Sequence, residues 1–317
     1  MPASFIYALL AALLPHPSLC VLSYGHAFNA PDDFSPPQFE YIASTFPIFT
    51  VEKRHASAVY GDPAAPADSP LRYNSIAASV GTARKIKALN PKTKVLMYWN
   101  SALHWNFYEC ETAVQPSWLL PPSHGLSVPS YNYAVADFRA WWVACAVGAL
   151  RNSSGALDGL FLDAAPKLSW AGQPPDAFER WGEMVDAVRV AAPPGVFIIF
   201  NGDFFSPSGA VVANGSALLA HADAVYAESM ASIDTAGAAA APAATVAYLR
   251  YLAASSAAAA PAGKLLFGHG LLDPADPERS FSFGFALCEF RREPPRAPKP
   301  RDPKNQTLPQ ILPPPKP

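Results

Sequence analysis

Several short apolar runs in this chain close on residues able to do chemistry. LDGLFL (157–162) is followed by Asp163. FPIFTVE (46–52) ends in Glu52 and leads into Lys53, with His55 just beyond. KVLMYW (94–99) carries Tyr98 and Trp99 into Asn100, followed by His104 and Trp105. VFIIF (196–200) precedes Asn201 and Asp203, DAVYAE (223–228) ends in Glu228, and KLLFG (264–268) reaches His269. Two carboxylates across one mouth can act as acid and base, or as acid and nucleophile, which is what cleavage of a glycosidic bond requires. Trp and Tyr faces stack on the C–H side of a sugar ring, and Asn and Lys offer directional hydrogen bonds to hydroxyls.

Other chemistries lack their residues. No glycine-rich phosphate loop or dinucleotide fingerprint follows any apolar run, and FGHGLLD has no Ser at its centre to make a nucleophile elbow. The four Cys, at 20, 110, 145 and 288, form no CxxC, and no His stands at metal-ligand spacing. Neither a metal nor an organic cofactor is implied.

Each residue also has a plainer reading. Asp163 is able to cap a following helix or to pair with Lys167, and Glu228 to be a solvated strand-end acid. Glu52 can pair with Lys53 or Arg54. Trp99 suits a core as well as a platform, Asp203 suits loop shaping, and Trp141 and Trp142 fall inside a helical pattern as packing residues. Cys145, in AWWVACAVGAL, reads as a small core residue. Cys110 is free to pair in an oxidising compartment, with a partner the sequence does not name.

The elements that must position these residues alternate as βα units. Strands are expected at 20–24, 46–52, 94–99, 157–162, 196–200, 223–228 and 264–268. Helices are expected within 35–45, 75–91, 133–152, 176–195 and 244–263, several closing on Pro or Gly. The strands do not alternate cleanly, so both faces are buried, as in a parallel sheet. Seven units stand one short of a (β/α)8 barrel, whose chemistry collects at the C-terminal strand ends. The eighth unit is due after the apolar segment 280–290, but residues 291–317 hold ten Pro and seven Lys or Arg with no apolar period. That composition predicts a disordered tail, and the abrupt change favours an altered reading frame near residue 291 over true loss of the unit.

With 317 residues, half of them hydrophobic, the chain is long enough for one large domain. A net charge of −2 gives no field for nucleic acid or an anionic membrane. FIYALLAALL (5–14) is too short to span a bilayer and fits the apolar region of a secretory signal, although the first basic residue is Lys53. The expected organisation is a signal at 1–17, a barrel at 18–290 and a tail at 291–317, in a secreted or lumenal protein without stable membrane insertion. Glycosylation triplets at Asn152, Asn214 and Asn305 agree with that compartment, Asn152 being the best acceptor. The oligomeric state is not legible.

FPIFTVEK, KVLMYWN, LDGLFLDAAPK, FNGDF and VYAESM, in that order, resemble the barrel glycosidases grouped as hypothetical glycosyl hydrolases. The family numbered fifteen is the most similar, and polygalactosaminidase-type barrels are similar at a greater distance. The likeness covers about residues 20–290, and its most specific element is DGLFLD. It implies O-glycosyl hydrolysis of a carbohydrate partner, with Asp163 as nucleophile or base and Glu228 as general acid. YNYAVADFRAWW (131–142) is similar to the stretch preceding that strand, with Asn132 where Asp is usual. Glu52, Lys53, Tyr98, Trp99, Asn100, Asn201 and Asp203 are then the substrate-binding candidates. The competing readings are a non-catalytic carbohydrate-binding barrel, a truncated pseudoenzyme, and a barrel enzyme of other chemistry.

Overall fold

A computed structural model describes residues 24–26, 31–202, 215–227 and 265–268. The expected signal segment, the helix at 244–263, the segment 280–290 and the Pro-rich tail lie outside the described residues.

Seven parallel strands form one sheet: β1 (Tyr24–His26), β2 (Ile48–Val51), β3 (Lys94–Asn100), β6 (Gly159–Asp163), β7 (Phe197–Asn201), β8 (Ala224–Ala227) and β9 (Leu265–Gly268). Each pairs with the next in that order, so the sheet never reverses direction as a doubly wound sheet does. A hairpin of β4 (Leu119–Leu120) and β5 (Ser130–Tyr131) interrupts the series after β3. These two-residue strands are too short to leave a periodic signal, and the sequence reading does not contain them.

The sheet curls. Tyr24 on β1 and Tyr226 on β8 have ring centroids 5.5 Å apart, and His26 lies 4.7 Å from Phe161 on β6. In a flat sheet five spacings of about 4.8 Å would hold β1 and β8 roughly 24 Å apart. The contact therefore requires strong curvature, and the architecture is an α/β barrel-like fold.

Alternation sorts the side chains. Register aligns Tyr98 with Phe161, and Phe161 with Ile199, on the concave face. Met97, Trp99, Leu160, Leu162, Ile198 and Phe200 occupy the other face, buried under helices. The described helices are α1 (Pro36–Thr45), α2 (Ser57–Tyr60), α3 (Ser75–Leu89), α4 (Ala136–Asn152), α5 (Ala177–Ala191) and α6 (Gly215–His221). At the start of α1, Gln38 accepts the Ser35 N–H at 2.8 Å, and Pro36 and Pro37 fill the first turn, where no amide hydrogen is needed. Trp142 of α4 donates its indole N–H to the Asn100 carbonyl at 3.1 Å, and Trp181 of α5 donates to Ser101 Oγ at 3.1 Å. Two helices thus hold the end of β3 in place.

Acids at the opposite, N-terminal end of the sheet do structural work. Asp158 accepts Val95 N–H at 2.7 Å and pairs with Lys87 at 2.7 Å. Asp223 accepts Ile198 N–H at 2.8 Å and pairs with Arg189 at 2.8 Å. Each ties its own strand to a neighbour and to a helix.

Cys145 corrects its reading as a plain core residue: it forms a disulfide with Cys110, Cα atoms 6.2 Å apart. Apolar neighbours in the sequence conceal that this position of α4 faces the loop after β3. With the two cysteines 35 positions apart in the chain, replacing both with Ser is expected to cost about 3–4 kcal/mol through the unfolded chain. Denaturant unfolding measures this, and an unchanged midpoint would contradict it.

Candidate active site

The last residue of β6, Asp163, stands on the concave face at the C-terminal end of the sheet. The backbone there is fixed on both sides. The Asp163 carbonyl accepts Ser101 N–H at 2.9 Å, and Ala164 turns the chain with φ +66°, a left-handed conformation unusual for Ala. Strain of this kind persists where surrounding structure over-determines the backbone.

Three neutral donors converge on the Asp163 carboxylate. Asn201 Nδ2 donates to Oδ1 at 2.7 Å, Asn100 Nδ2 donates to Oδ2 at 3.3 Å, and the Tyr98 hydroxyl makes a short bond to the same Oδ2. The orientation of Asn100 follows from its other end, where Oδ1 accepts Ala102 N–H at 2.9 Å and Leu103 N–H at 2.6 Å. Its amide nitrogen must then face Asp163 and Tyr98. Burial pushes the Tyr98 phenol well above its ordinary range, helped by the charges of Asp163 and Glu52, so the hydroxyl keeps its proton for donation.

Glu52 follows β2 at the level of Tyr98. It accepts Lys53 Nζ at 3.0 Å and meets His26 Nε2 at 3.2 Å. The other ring nitrogen of His26 lies 3.1 Å from the Tyr24 hydroxyl, which donates to Thr50 Oγ1 at 2.6 Å. Lys53 Nζ sits 4.0 Å from the Tyr98 ring centroid and 5.5 Å from that of Trp105. A polar strip thus runs from β1 to β3 beside Asp163.

The sequence candidates part company here. Tyr98, Asn100, Asp163 and Asn201 come together directly, with Glu52 and Lys53 beside them. Trp99 does not join them. Period-two alternation turns it to the outer face, 1 % exposed, with Trp142 5.9 Å and Tyr108 4.4 Å away. Asp203 and Glu228 lie outside the described residues. Asp163 makes no ion pair among the described residues, and Lys167 Nζ instead lies 5.5 Å from the Trp170 ring. His55 is buried against Asp33 at 3.3 Å, and His104 meets the buried Glu111 at 3.0 Å. His26 is absent from the sequence candidates because the first strand is expected at 20–24, whereas β1 runs Tyr24–His26 and closes on this His, two residues past Tyr24.

A family model, hypothetical glycosyl hydrolase family 15, matches residues 87–267, more than half of the chain. The chain belongs to this family. Membership in hypothetical glycosyl hydrolase family 15 makes it a glycosidase, and the matched span contains Tyr98, Asn100, Asp163 and Asn201. No curated protein matches the chain. Among solved structures, Aspergillus fumigatus Ega3 in complex with galactosamine is similar at 11% identity, covering 81% of this chain and 80% of that one, with a TM-score of 0.47. The glycoside hydrolase domain of PelA from Pseudomonas aeruginosa is similar at 15% identity, covering 81% and 86%, with a TM-score of 0.49. No helix among the described residues is long and apolar enough to cross a membrane.

Burial raises five tyrosines, Tyr24, Tyr98, Tyr108, Tyr131 and Tyr133, above the ordinary phenol range. A phenol raised in the folded state stabilises the fold below its unfolded pKa of about 10, and that contribution is lost as pH climbs toward the folded value. Absorbance titration should therefore show these five of the 12 tyrosines ionising only together with alkaline unfolding. Reversible ionisation of all 12 near pH 10 would contradict the buried site.

Proposed function

We propose that this glycosidase cleaves an O-glycosidic bond with Asp163 as nucleophile or base and Glu228 as general acid. The observation that carries the reading is the set of donors on Asp163. Tyr98, Asn100 and Asn201 orient the carboxylate, and among the described residues no ion pair takes up its charge. A carboxylate held in that way is suited to an oxocarbenium-like transition state.

Support for Glu228 comes from its place in the chain. It lies two residues past Tyr226, whose ring meets Phe161 at 5.1 Å on the concave face. Strand alternation carried one residue past Ala227 would give Glu228 the face of Tyr226. β8 is two strands from β6, a backbone separation of about 10 Å. Side chains reaching inward from there can close to roughly 5 Å, as retention needs, or to about 6.5–9.5 Å, as inversion needs. Glu52, Lys53, Asn201 and Asp203 supply hydroxyl contacts.

A glycan-library hydrolysis screen tests the assignment. Asp163→Asn and Glu228→Gln are each expected to lower turnover by at least about 10²–10⁴-fold while the fold survives. Undiminished turnover in either variant removes that residue from the mechanism. A wild-type chain that binds glycans without cleaving any would make the barrel a carbohydrate-binding module.

A secreted or lumenal setting fits the same reading, because a structural disulfide belongs to an oxidising compartment. Asn152, at the end of α4, is exposed ahead of Ser153 and Ser154. Expression through a eukaryotic secretory pathway should yield a product shortened at its N-terminus and glycosylated at Asn152. Full-length, unmodified protein retained in the cytosol would argue decisively against secretion.

A further inference from the structure

We infer that the loop between β3 and β4 is a disulfide-braced binding loop whose Trp105 is the stacking platform for an uncharged pyranose next to Asp163, an inference that rests on the glycosidase reading above. Long loops over a strand-end mouth are ordinarily the mobile part of such a fold. This one is tied down at many points. The disulfide joins Cys110 to α4. Glu111 is buried, 3 % exposed, and accepts Tyr108 N–H at 2.9 Å and the Tyr131 hydroxyl at 2.7 Å. Glu109 accepts the N–H groups of Ile76 and Ala77, at 2.9 and 2.8 Å, in the first turn of α3. The Tyr108 hydroxyl donates to the Tyr98 carbonyl at 3.0 Å.

Burying a carboxylate is costly unless its hydrogen bonds are met, and those of Glu111 are met by the loop backbone, by His104 and by the Tyr131 hydroxyl. The outcome is a surface prepared before any ligand arrives, which spares the ordering cost of binding.

What the loop presents is Trp105. Trp105 is half-buried, and its ring lies parallel to Phe107, centroids 6.1 Å apart and planes 7° apart. Between them Asn106 adopts φ +60°, a left-handed conformation that Asn tolerates better than most residues. Phe107 is backed by Tyr73 at 4.6 Å. Lys53 links the platform to the chemistry: its ammonium is 5.5 Å from the Trp105 ring and 4.0 Å from Tyr98, the donor to Asp163.

Charge selects the occupant. Lys53 is already paired with Glu52, which also holds His26. Among the described residues, the charges nearest the Trp105 ring are Lys53 and Glu52, which match each other, while the Asp163 carboxylate is held at the Tyr98 hydroxyl. That setting suits a neutral sugar and gives neither an ammonium nor a carboxylate sugar a counter-ion of its own at the stacked ring.

Indole N–H resonances of the full chain test this, with Trp105 identified through Trp105→Phe. The probes are glucose, galactose, mannose and N-acetylglucosamine, compared with glucosamine and glucuronate. The Trp105 signal should shift saturably with at least one neutral sugar, about tenfold more tightly than with either charged one, while buried Trp142 stays still. Trp105→Ala should raise KM for a hydrolysed glycan more than it lowers kcat, and Cys110→Ser should do the same more mildly. No response to any neutral sugar, or equal affinity for a charged one, overturns the platform. Hydrolysis with an unchanged KM in Trp105→Ala overturns it too. Because the shift is read without turnover, a chain that binds at Trp105 but cleaves nothing overturns the glycosidase reading and leaves the platform standing.

Discussion

Tyr24 on β1 rests against Tyr226 on β8 although four strands stand between them in the sheet. That cross-barrel contact expresses the constraint behind the rest of the fold. A wholly parallel sheet must bury both faces. Here helices cover the outer face, while Tyr24, Tyr98, Phe161 and Tyr226 pack against one another on the inner one. Curling the sheet around its own aromatic side chains brings the strand ends toward one mouth. His26, Glu52, Tyr98, Asn100, Asp163 and Asn201 then fall within reach of their neighbours without any of them leaving its strand end or the turn after it.

The two acids of the segment 157–163 show how partners separate roles. Asp158, before β6, is paired with Lys87 and with a backbone N–H, so its charge is matched and its work is to join strands. Asp163, five residues later at the other end, is held by two amides and a phenol. Neutral donors fix a carboxylate in space and leave its field to act on whatever enters the mouth. Burial keeps the Tyr98 phenol protonated and so preserves one of those donors. The same desolvation that favours the core thus serves the site.

Packing around β3 links stability to function. Trp142 and Trp181 reach from two helices to the residues that end this strand. Asn100 in turn uses its side-chain oxygen on the following loop and its nitrogen on Asp163. The loop beyond carries the disulfide and the buried Glu111. Disturbance anywhere in this series would be felt at the Asp163 carboxylate through a few well-defined hydrogen bonds.

The βα order, the parallel strands and the carboxylate closing LDGLFLD were legible in the sequence, because apolar runs and helix stops are local signals. So was the gathering of polar residues at strand ends, since that follows from strand direction alone. Both Tyr98 and Trp99 were expected at the substrate, yet adjacent residues of a strand face opposite ways, so only one of them could be there. Only the curl of the sheet turned Tyr98 inward and Trp99 toward α4. The pairing of Cys110 with Cys145, the strip from His26 through Glu52 to Lys53, and the bond from Asn201 to Asp163 join residues far apart in the chain. Their spacing carries no periodic signature, because each depends on how strands and loops stack in space. The sequence by itself determined which residues end the strands; the tertiary structure decided which of them meet, because a hydrogen bond depends on ångströms between side chains and not on residues between positions.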